Sequence, residues 1–272
     1  MVNITHKNMI NDDRIDLPSP SPLDADCVVQ SSLVNDLTIS TPKIAAVIPA
    51  RGGSKGLPHK NITLLHGRPL IQYTIEVAQR CTGITRVIVS TEDPAIAALA
   101  ISLGAEVPFL RPKHLAGDKA VLGEAIDFTV RELARRGNPI DGHMVMLPTS
   151  PFRPLSMIET LASKLIQGHA TVCTAKPVEH RLFARREGAL LKNILTPEKE
   201  NEAELRQYFK TIGLVTGTRH TPSRRQYCHV VEDPASLVDI DTPEDMMLAE
   251  MIMEKGLFDF GFTFPEKQKR VS

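Results

Sequence analysis

The sequence has no surplus of either charge: 32 Lys and Arg balance 32 Asp and Glu. A dedicated nucleic-acid binder needs a basic excess for its phosphate contacts, so that class is not expected. The four cysteines, at positions 27, 81, 173 and 228, form no Cys-x-x-Cys pair. They read as reduced, mostly buried thiols of a cytoplasmic protein. Nine histidines include no His-x-x-x-His pair, which argues against a zinc site. No apolar run approaches the roughly 20 residues of a membrane span. The N-terminus lacks the basic start and apolar core of a secretory signal, so no membrane partner and no export are expected.

What is present suits a soluble α/β protein. Apolar residues make up 42% and charged residues 24% of a 272-residue chain, enough for one large domain or a domain with a lobe. Residues 1–42 carry a Pro/Ser tract, Leu17-Pro18-Ser19-Pro20-Ser21-Pro22, and are expected to be a poorly ordered extension. From Lys43 onward, strand and helix patterns alternate. Strands are expected at 44–48, 86–89, 107–110, 143–147 and 171–174, and helices at 68–80, 94–103, 122–135 and 155–166. Asp93 or Thr91 can cap the helix beginning at Pro94, and Gly104 stops it. This alternation predicts a doubly wound, mostly parallel sheet with helices on both faces. The domain is expected over 43–265. A charge-dense stretch, about 176–225, interrupts it as an inserted substrate or dimerisation lobe whose segments at 182–186 and 209–216 read as strands. A late strand at 237–240, a helix at 243–255 and an aromatic tail at 258–264 complete the expected order.

Two constellations carry chemistry. The first is Ile48-Pro49-Ala50-Arg51-Gly52-Gly53-Ser54-Lys55-Gly56-Leu57-Pro58-His59-Lys60-Asn61, which leaves the first strand. It holds three glycines and the cations Arg51, Lys55 and Lys60. Glycines permit close backbone approach, and successive N–H groups form an anion-binding concavity. It is neither a Walker A loop nor a dinucleotide G-x-G-x-x-G, and the competing reading is a basic surface turn. In open α/β sheets ligands bind outside the carboxyl ends of the strands, where Pro148-Thr149-Ser150 also emerges. The second is Asp239-Ile240-Asp241, whose carboxylates would face one way in a strand and suit a hard divalent cation. Its competing reading is a helix start, because Thr242-Pro243-Glu244-Asp245 follows.

Together with Pro148-Thr149-Ser150-Pro151-x-Arg153, these motifs resemble the CMP-sialic acid synthetases (acylneuraminate cytidylyltransferases). The resemblance runs in order over about 43–175 and again over about 236–250. It implies a Rossmann-like nucleotidyltransferase fold, a homodimer, and transfer of CMP from CTP to the anomeric hydroxyl of a nine-carbon 2-keto sugar acid, with magnesium and release of pyrophosphate. By resemblance, Arg51, Gly52, Gly53, Ser54 and Lys55 cradle the triphosphate, Lys60 reaches the α-phosphate or the leaving pyrophosphate, and Asn61 contacts the nucleotide. Asp239 and Asp241 bind Mg2+, and one of them helps deprotonate the attacking hydroxyl. Arg111 matches an arginine near the cytosine and ribose; by itself it reads equally as a surface arginine before Pro112. Tyr208, Phe209 and Lys210 fall in the sugar-binding stretch. Two departures bear on the acceptor: Leu147 stands where the family usually has glutamine, and the 208–213 stretch keeps an aromatic and Gly213 but loses an asparagine. Arg181, Arg185, Arg186 and Lys210 are candidates to pair with an acceptor carboxylate, or form a solvated basic face. The departures leave open another nucleotide or acceptor, such as a different keto-sugar acid or a phosphonate. A nucleotide-binding regulator without catalysis is the third reading.

Overall fold

The structure, a computed structural model, describes residues 41–53, 56–117, 120–178 and 209–265, with the backbone alone at 183–185 and 191–193. Of the expected N-terminal extension, residues 1–40 lie outside the described residues.

The first strand, β1 (Ile44–Pro49), shows why the sheet is covered on both sides. Successive side chains of a strand point to opposite faces. Ile44, Ala46 and Ile48 enter the main core with Ile71 and Ile75, whereas Ala45 enters a separate cluster with Ile88, Leu133 and Ile140. The chain continues through a two-residue hairpin, β2 (Leu64–Leu65) and β3 (Arg68–Pro69), into α1 (Leu70–Arg80). Next come β4 (Arg86–Ser90), α2 (Pro94–Ser102), α3 (Leu122–Arg135), β5 (Gly142–Val145), α4 (Leu155–Ile166) and β6 (Thr171–Pro177). A small hairpin pairs β7 (Phe183–Arg185) with β8 (Leu191–Asn193). β9 (Phe209–Arg219), β10 (Gln226–Val230) and α5 (Pro243–Glu254) close the order. Asp93 caps α2, accepting from the Ala95 N–H at 2.7 Å, and Gly104 follows it at φ +81°, where L side chains are strained.

The main sheet has six strands in the order β10-β6-β9-β5-β1-β4. β1 runs parallel to β4 and β5, and β10 parallel to β6, while β9 is antiparallel to both its neighbours. The expected doubly wound, mostly parallel α/β architecture is therefore present. Three expectations need correction. Residues 107–110 form no strand; only Glu106 bridges to Ile88. Residues 237–240 form no strand either, because a short 3-10 turn (Ala235–Leu237) precedes an extended link held by other means. And 209–219, placed in the inserted lobe, is a central strand whose residues Leu214 and Val215 are buried. Burial of the thiols also differs from expectation: Cys81 is buried, Cys173 half-buried and Cys228 exposed, and Cys27 lies outside the described residues.

The aromatic tail has a definite seat. Phe260 packs against Tyr73, Phe152, Phe258, Phe262 and Phe264 at centroid distances of 5.8, 6.1, 4.8, 5.9 and 4.8 Å. Its carbonyl accepts from the Leu155 N–H at 2.9 Å. This cluster includes Ile240 and joins α1 to α5. Phe260→Ala should cost about 3–5 kcal/mol in urea unfolding by leaving a cavity among the rings.

At the amino end of β5, the His143 and His220 rings meet. His220 Nδ1 lies 3.1 Å from the Ile140 carbonyl and donates to it, so its Nε2 accepts from His143 Nδ1–H at 3.3 Å. Burial and the His220 ring push His143 down to about 4, against the opposing charge of Asp127. The unfolded chain, with an ordinary histidine pKa near 6.5, takes up a proton there that the fold refuses until about pH 4. Stability is therefore present above pH 6.5 and lost as pH falls from 6.5 towards 4. Urea midpoints compared between pH 7.5 and 5.5 should fall less in His143→Gln than in the unsubstituted chain.

Candidate active site

The loop after β1 and the segment before α5 meet at the carboxyl edge of the sheet, 181 residues apart in sequence. Lys60 Nζ forms an ion pair with Asp241 Oδ1. Gly56 comes so close to the Asp241 backbone that a Cβ on it would sit 2.3 Å from the Asp241 carbonyl oxygen. That contact, rather than a positive φ, is why glycine stands there. Gly52 is similarly confined: its N–H donates to Glu92 Oε1 at 2.8 Å, and an added Cβ would meet Asp93 Oδ2 at 2.3 Å. Nothing crowds Gly53 within 4 Å. His59, at φ 53°, turns the chain so that Lys60 opens a short 3-10 turn. The buried Asn61 donates from Nδ2 to the Arg51 carbonyl at 2.9 Å, closing the loop on itself. Ser54 and Lys55 lie outside the described residues.

The acidic motif points its carboxylates outward without being a strand. Ile240 is fully buried in the aromatic cluster, and its N–H donates to the Thr149 carbonyl at 2.8 Å. With the middle residue anchored inward, Asp239 and Asp241 are left at the edge. Asp239 Oδ1 accepts from Ser150 Oγ at 3.3 Å. The helix-cap reading of Asp241 is settled by its neighbours: Asp245 Oδ2 accepts from the Asp241 and Thr242 N–H groups at 3.0 and 2.8 Å, and Thr242 Oγ1 accepts from the Asp245 N–H at 3.2 Å. The cap is built by Thr242 and Asp245, and those bonds to the Asp241 main chain hold the Asp245 carboxyl below its ordinary value. The Asp241 carboxylate turns to Lys60.

Two cavities flank this edge. One, of about 350 Å³, is lined by Arg51, Lys60, Asn61, Arg111, Leu147 and Thr149, with an apolar wall from Leu115, Ala116, Val121, Leu122 and Ala125. The other, of about 280 Å³, is lined by Ser150, Lys176, Lys210, Gly213 and Asp239 among others. Leu147 divides them: it lines the first, and its Cδ1 lies 3.7 Å from where a Cβ on Gly213 would stand. Lys176 and Lys210 are direct partners in the β6–β9 ladder, so two ammonium stems share one side of the second cavity. Phe209 is 45% exposed at the start of β9 and lines neither cavity. Tyr208, Arg181 and Arg186 lie outside the described residues, and Arg185 is described by backbone alone.

Two site residues went unrecognised in the sequence. Glu92 accepts from the Gly52 N–H through Oε1 and from Arg111 Nη2 through Oε2 at 2.9 Å, so one carboxylate joins the glycine loop to the arginine across the first cavity. The signal was its place just after a strand at the ligand-binding edge. Arg111 is 5% exposed, its N–H donates to the Thr91 carbonyl at 2.7 Å, and its Nε–H has no partner among the described residues. It is thus no surface arginine. Arg153 was quoted only as part of a motif, but it is fully buried. It donates from Nη2 to the Leu147 carbonyl at 2.7 Å, from Nε to the Leu214 carbonyl at 3.0 Å, and from Nη1 to Thr74 Oγ1 at 3.1 Å and to the Ser150 carbonyl. Burial lowers its pKa to about 9, with Asp239 opposing, which leaves it charged at neutral pH.

Comparison with known proteins places the chain among relatives. A family model described as Cytidylyltransferase matches residues 45–258. The chain is 31% identical over 226 residues to the CMP-N,N'-diacetyllegionaminic acid synthase of Legionella pneumophila, covering 78% of this chain and 97% of that protein. It is 42% identical over 111 residues to the N-acylneuraminate cytidylyltransferase of Escherichia coli, covering 41% of this chain and 25% of that protein. Among solved structures, a CMP:2-keto-3-deoxy-manno-octonic acid synthetase complexed with CTP shares the fold, with a TM-score of 0.59 and 18% identity over 79% of this chain and 99% of that one.

Arg153→Met should cost about 3 kcal/mol or more in urea unfolding, because the carbonyls of Leu147, Ser150 and Leu214 lose their buried donor together.

Proposed function

The chain belongs to the cytidylyltransferase family, and from that premise we propose that it transfers CMP from CTP to a nine-carbon 2-keto sugar acid, releasing pyrophosphate. The carrying observation is the meeting of the glycine loop with the Asp239–Asp241 segment, through Lys60 and Gly56, between two cavities. The first cavity suits the nucleotide. Its cations Arg51 and Lys60 neutralise phosphate oxygens, Arg111 lines it towards base or ribose, and Leu115, Val121 and Leu122 offer an apolar face. The second suits the acceptor, with Lys176 and Lys210 available to a sugar carboxylate.

In the reaction an acceptor hydroxyl oxygen bonds to the α-phosphorus and the bond to the leaving pyrophosphate breaks. The hydroxyl proton passes to a carboxylate at the junction, Asp239 or Asp241. Nucleotidyl transfer asks little covalent work of a protein; charge neutralisation and alignment supply most of the rate. Asp239 and Asp241 are the residues that would hold Mg2+. A hard cation of this size takes one or two carboxylates and completes its shell with waters and substrate phosphate oxygens, so the pair fits. Among the described residues no group of three or more His, Cys, Asp or Glu converges. When bound, the metal supplies positive charge to the phosphate oxygens.

Leu147 and the lost asparagine favour an acceptor other than ordinary sialic acid; Leu147 lines the first cavity and lies against Gly213, which lines the second. A homodimer and a cytoplasmic location go with this reading; among the described residues no helix is long and apolar enough to cross a membrane. The test is pyrophosphate release with CTP, Mg2+ and a panel of neuraminic, legionaminic and pseudaminic acids. Turnover is expected with at least one, and the absence of release with all three would overturn the reading. Lys60→Ala and Asp241→Asn should each lower turnover about 100-fold, the loss of one charge-stabilising group, while circular dichroism melts stay close to the parent.

A further inference from the structure

Away from both cavities, two thiols stand side by side. Cys173 on β6 and Cys228 on β10 are direct partners in the parallel ladder. Partners in adjacent strands lie about 4.8 Å apart at Cα, inside the roughly 4.4–6.8 Å range that a disulfide spans. As direct partners in the ladder, the two side chains leave the sheet on the same face. That face is open at this edge: Cys228 is exposed, Cys173 is half-buried, and Thr216, the partner of Cys173 on β9, is exposed as well. β10 is the outermost strand and pairs only with β6 among the described residues. Cys81, by contrast, is 1% exposed within the main core.

We propose that Cys173 and Cys228 form a vicinal dithiol site that reacts with small-molecule disulfides and closes reversibly into a cross-strand disulfide. Exposure makes Cys228 the entry thiol. Its thiolate attacks one sulfur of the incoming disulfide, forming a mixed disulfide and releasing one small thiol. The Cys173 thiolate then attacks the Cys228 sulfur and releases the second small thiol. Two protein thiols are oxidised, one small disulfide is reduced to two thiols, and the two protons lost from the protein are taken up by the departing thiolates. Burial and the neighbouring Cys228 thiol push Cys173 up to about 11, which makes it a slow first attacker and leaves it as the resolving group. The bond ties the edge strand to the sheet and encloses residues 174–227, which include β9.

The experiment treats the folded full chain with oxidised glutathione and follows it by intact mass and non-reduced peptide mapping. The unsubstituted chain is expected to lose two hydrogen atoms in mass, to join the Cys173 and Cys228 peptides, and to retain no glutathione at either. Cys173→Ser should trap a stable glutathione adduct on Cys228. Cys228→Ser should react at position 173 at least tenfold more slowly. The bridged form should melt about 10 °C higher than the reduced form, as expected for a loop of this length, and dithiothreitol should reverse the shift. Glutathione retained on Cys228 in the unsubstituted chain, or a disulfide drawn instead to Cys27 or Cys81, would overturn the proposal.

Discussion

The buried guanidinium of Arg153 is the fixed point about which the catalytic edge is arranged. A charge in the interior persists only if its donors are satisfied. Arg153 satisfies them with carbonyls from two turns of the 147–150 loop, one carbonyl of β9 and a hydroxyl of α1. A loop of peptide groups facing inward would be costly without that donor set. With it, Leu147, Thr149 and Ser150 are held where each has a separate task. Leu147 divides the cavities, Thr149 receives the Ile240 N–H, and Ser150 Oγ reaches Asp239. Prolines at 148, 151 and 154 stiffen the chain between these contacts and remove donors that would otherwise need partners.

From that loop the order passes to the acidic segment. Ile240 is the pivot: its side chain belongs to the aromatic cluster and its backbone to Thr149. The tail at 258–264 therefore serves the site from a distance, because its rings complete the pocket that Ile240 fills. Gly56 then brings the glycine loop against the Asp241 carbonyl, and Lys60 neutralises the carboxylate. On the opposite wall Glu92 plays the matching part, one carboxylate taking the Gly52 N–H and the Arg111 guanidinium together. Both halves of the glycine loop are thus pinned by acids from other elements, which suits a cradle kept ready for an anion.

The alternation of strands and helices was legible because β1, β4 and β5 are short apolar runs and the helices between them are amphipathic or capped. Of the last strands, 209–216 was read as a strand but not as part of the main sheet, and β10 was not read at all. β9 carries exposed Thr216 and Thr218 beside buried Leu214 and Val215, and it follows a charge-dense stretch, so its place inside the sheet could not be read locally. That Asp239 and Asp241 face outward at the sheet edge was expected for a reason that proved incomplete. Period-two spacing suggested a strand, whereas the outward pair results from a buried residue between them. Glu92 and the burial of Arg111 depend on contacts across 40 and 19 residues, which no spacing rule reaches. The loop and the acids, each with a local pattern, were visible; the residues that hold them in place were not.

Leu147 shows how the framework can fix a main chain and leave a side chain open to change. Arg153 takes only the Leu147 carbonyl, so the framework constrains the main chain and leaves the side chain free to vary. A polar side chain at 147 would face Gly213 and offer hydrogen bonds to whatever lies in either cavity; leucine offers only surface. A site built to hydrogen-bond a substrate group rejects analogues lacking it far more strongly than an apolar wall rejects anything. On the second cavity, Lys176 and Lys210 face each other across the ladder as exposed partners. Like charges directly opposed in a sheet are unfavourable by themselves, and an acidic ligand between them removes that cost. The acceptor would accordingly be selected more by its carboxylate than by hydroxyl contacts at the boundary between the two cavities.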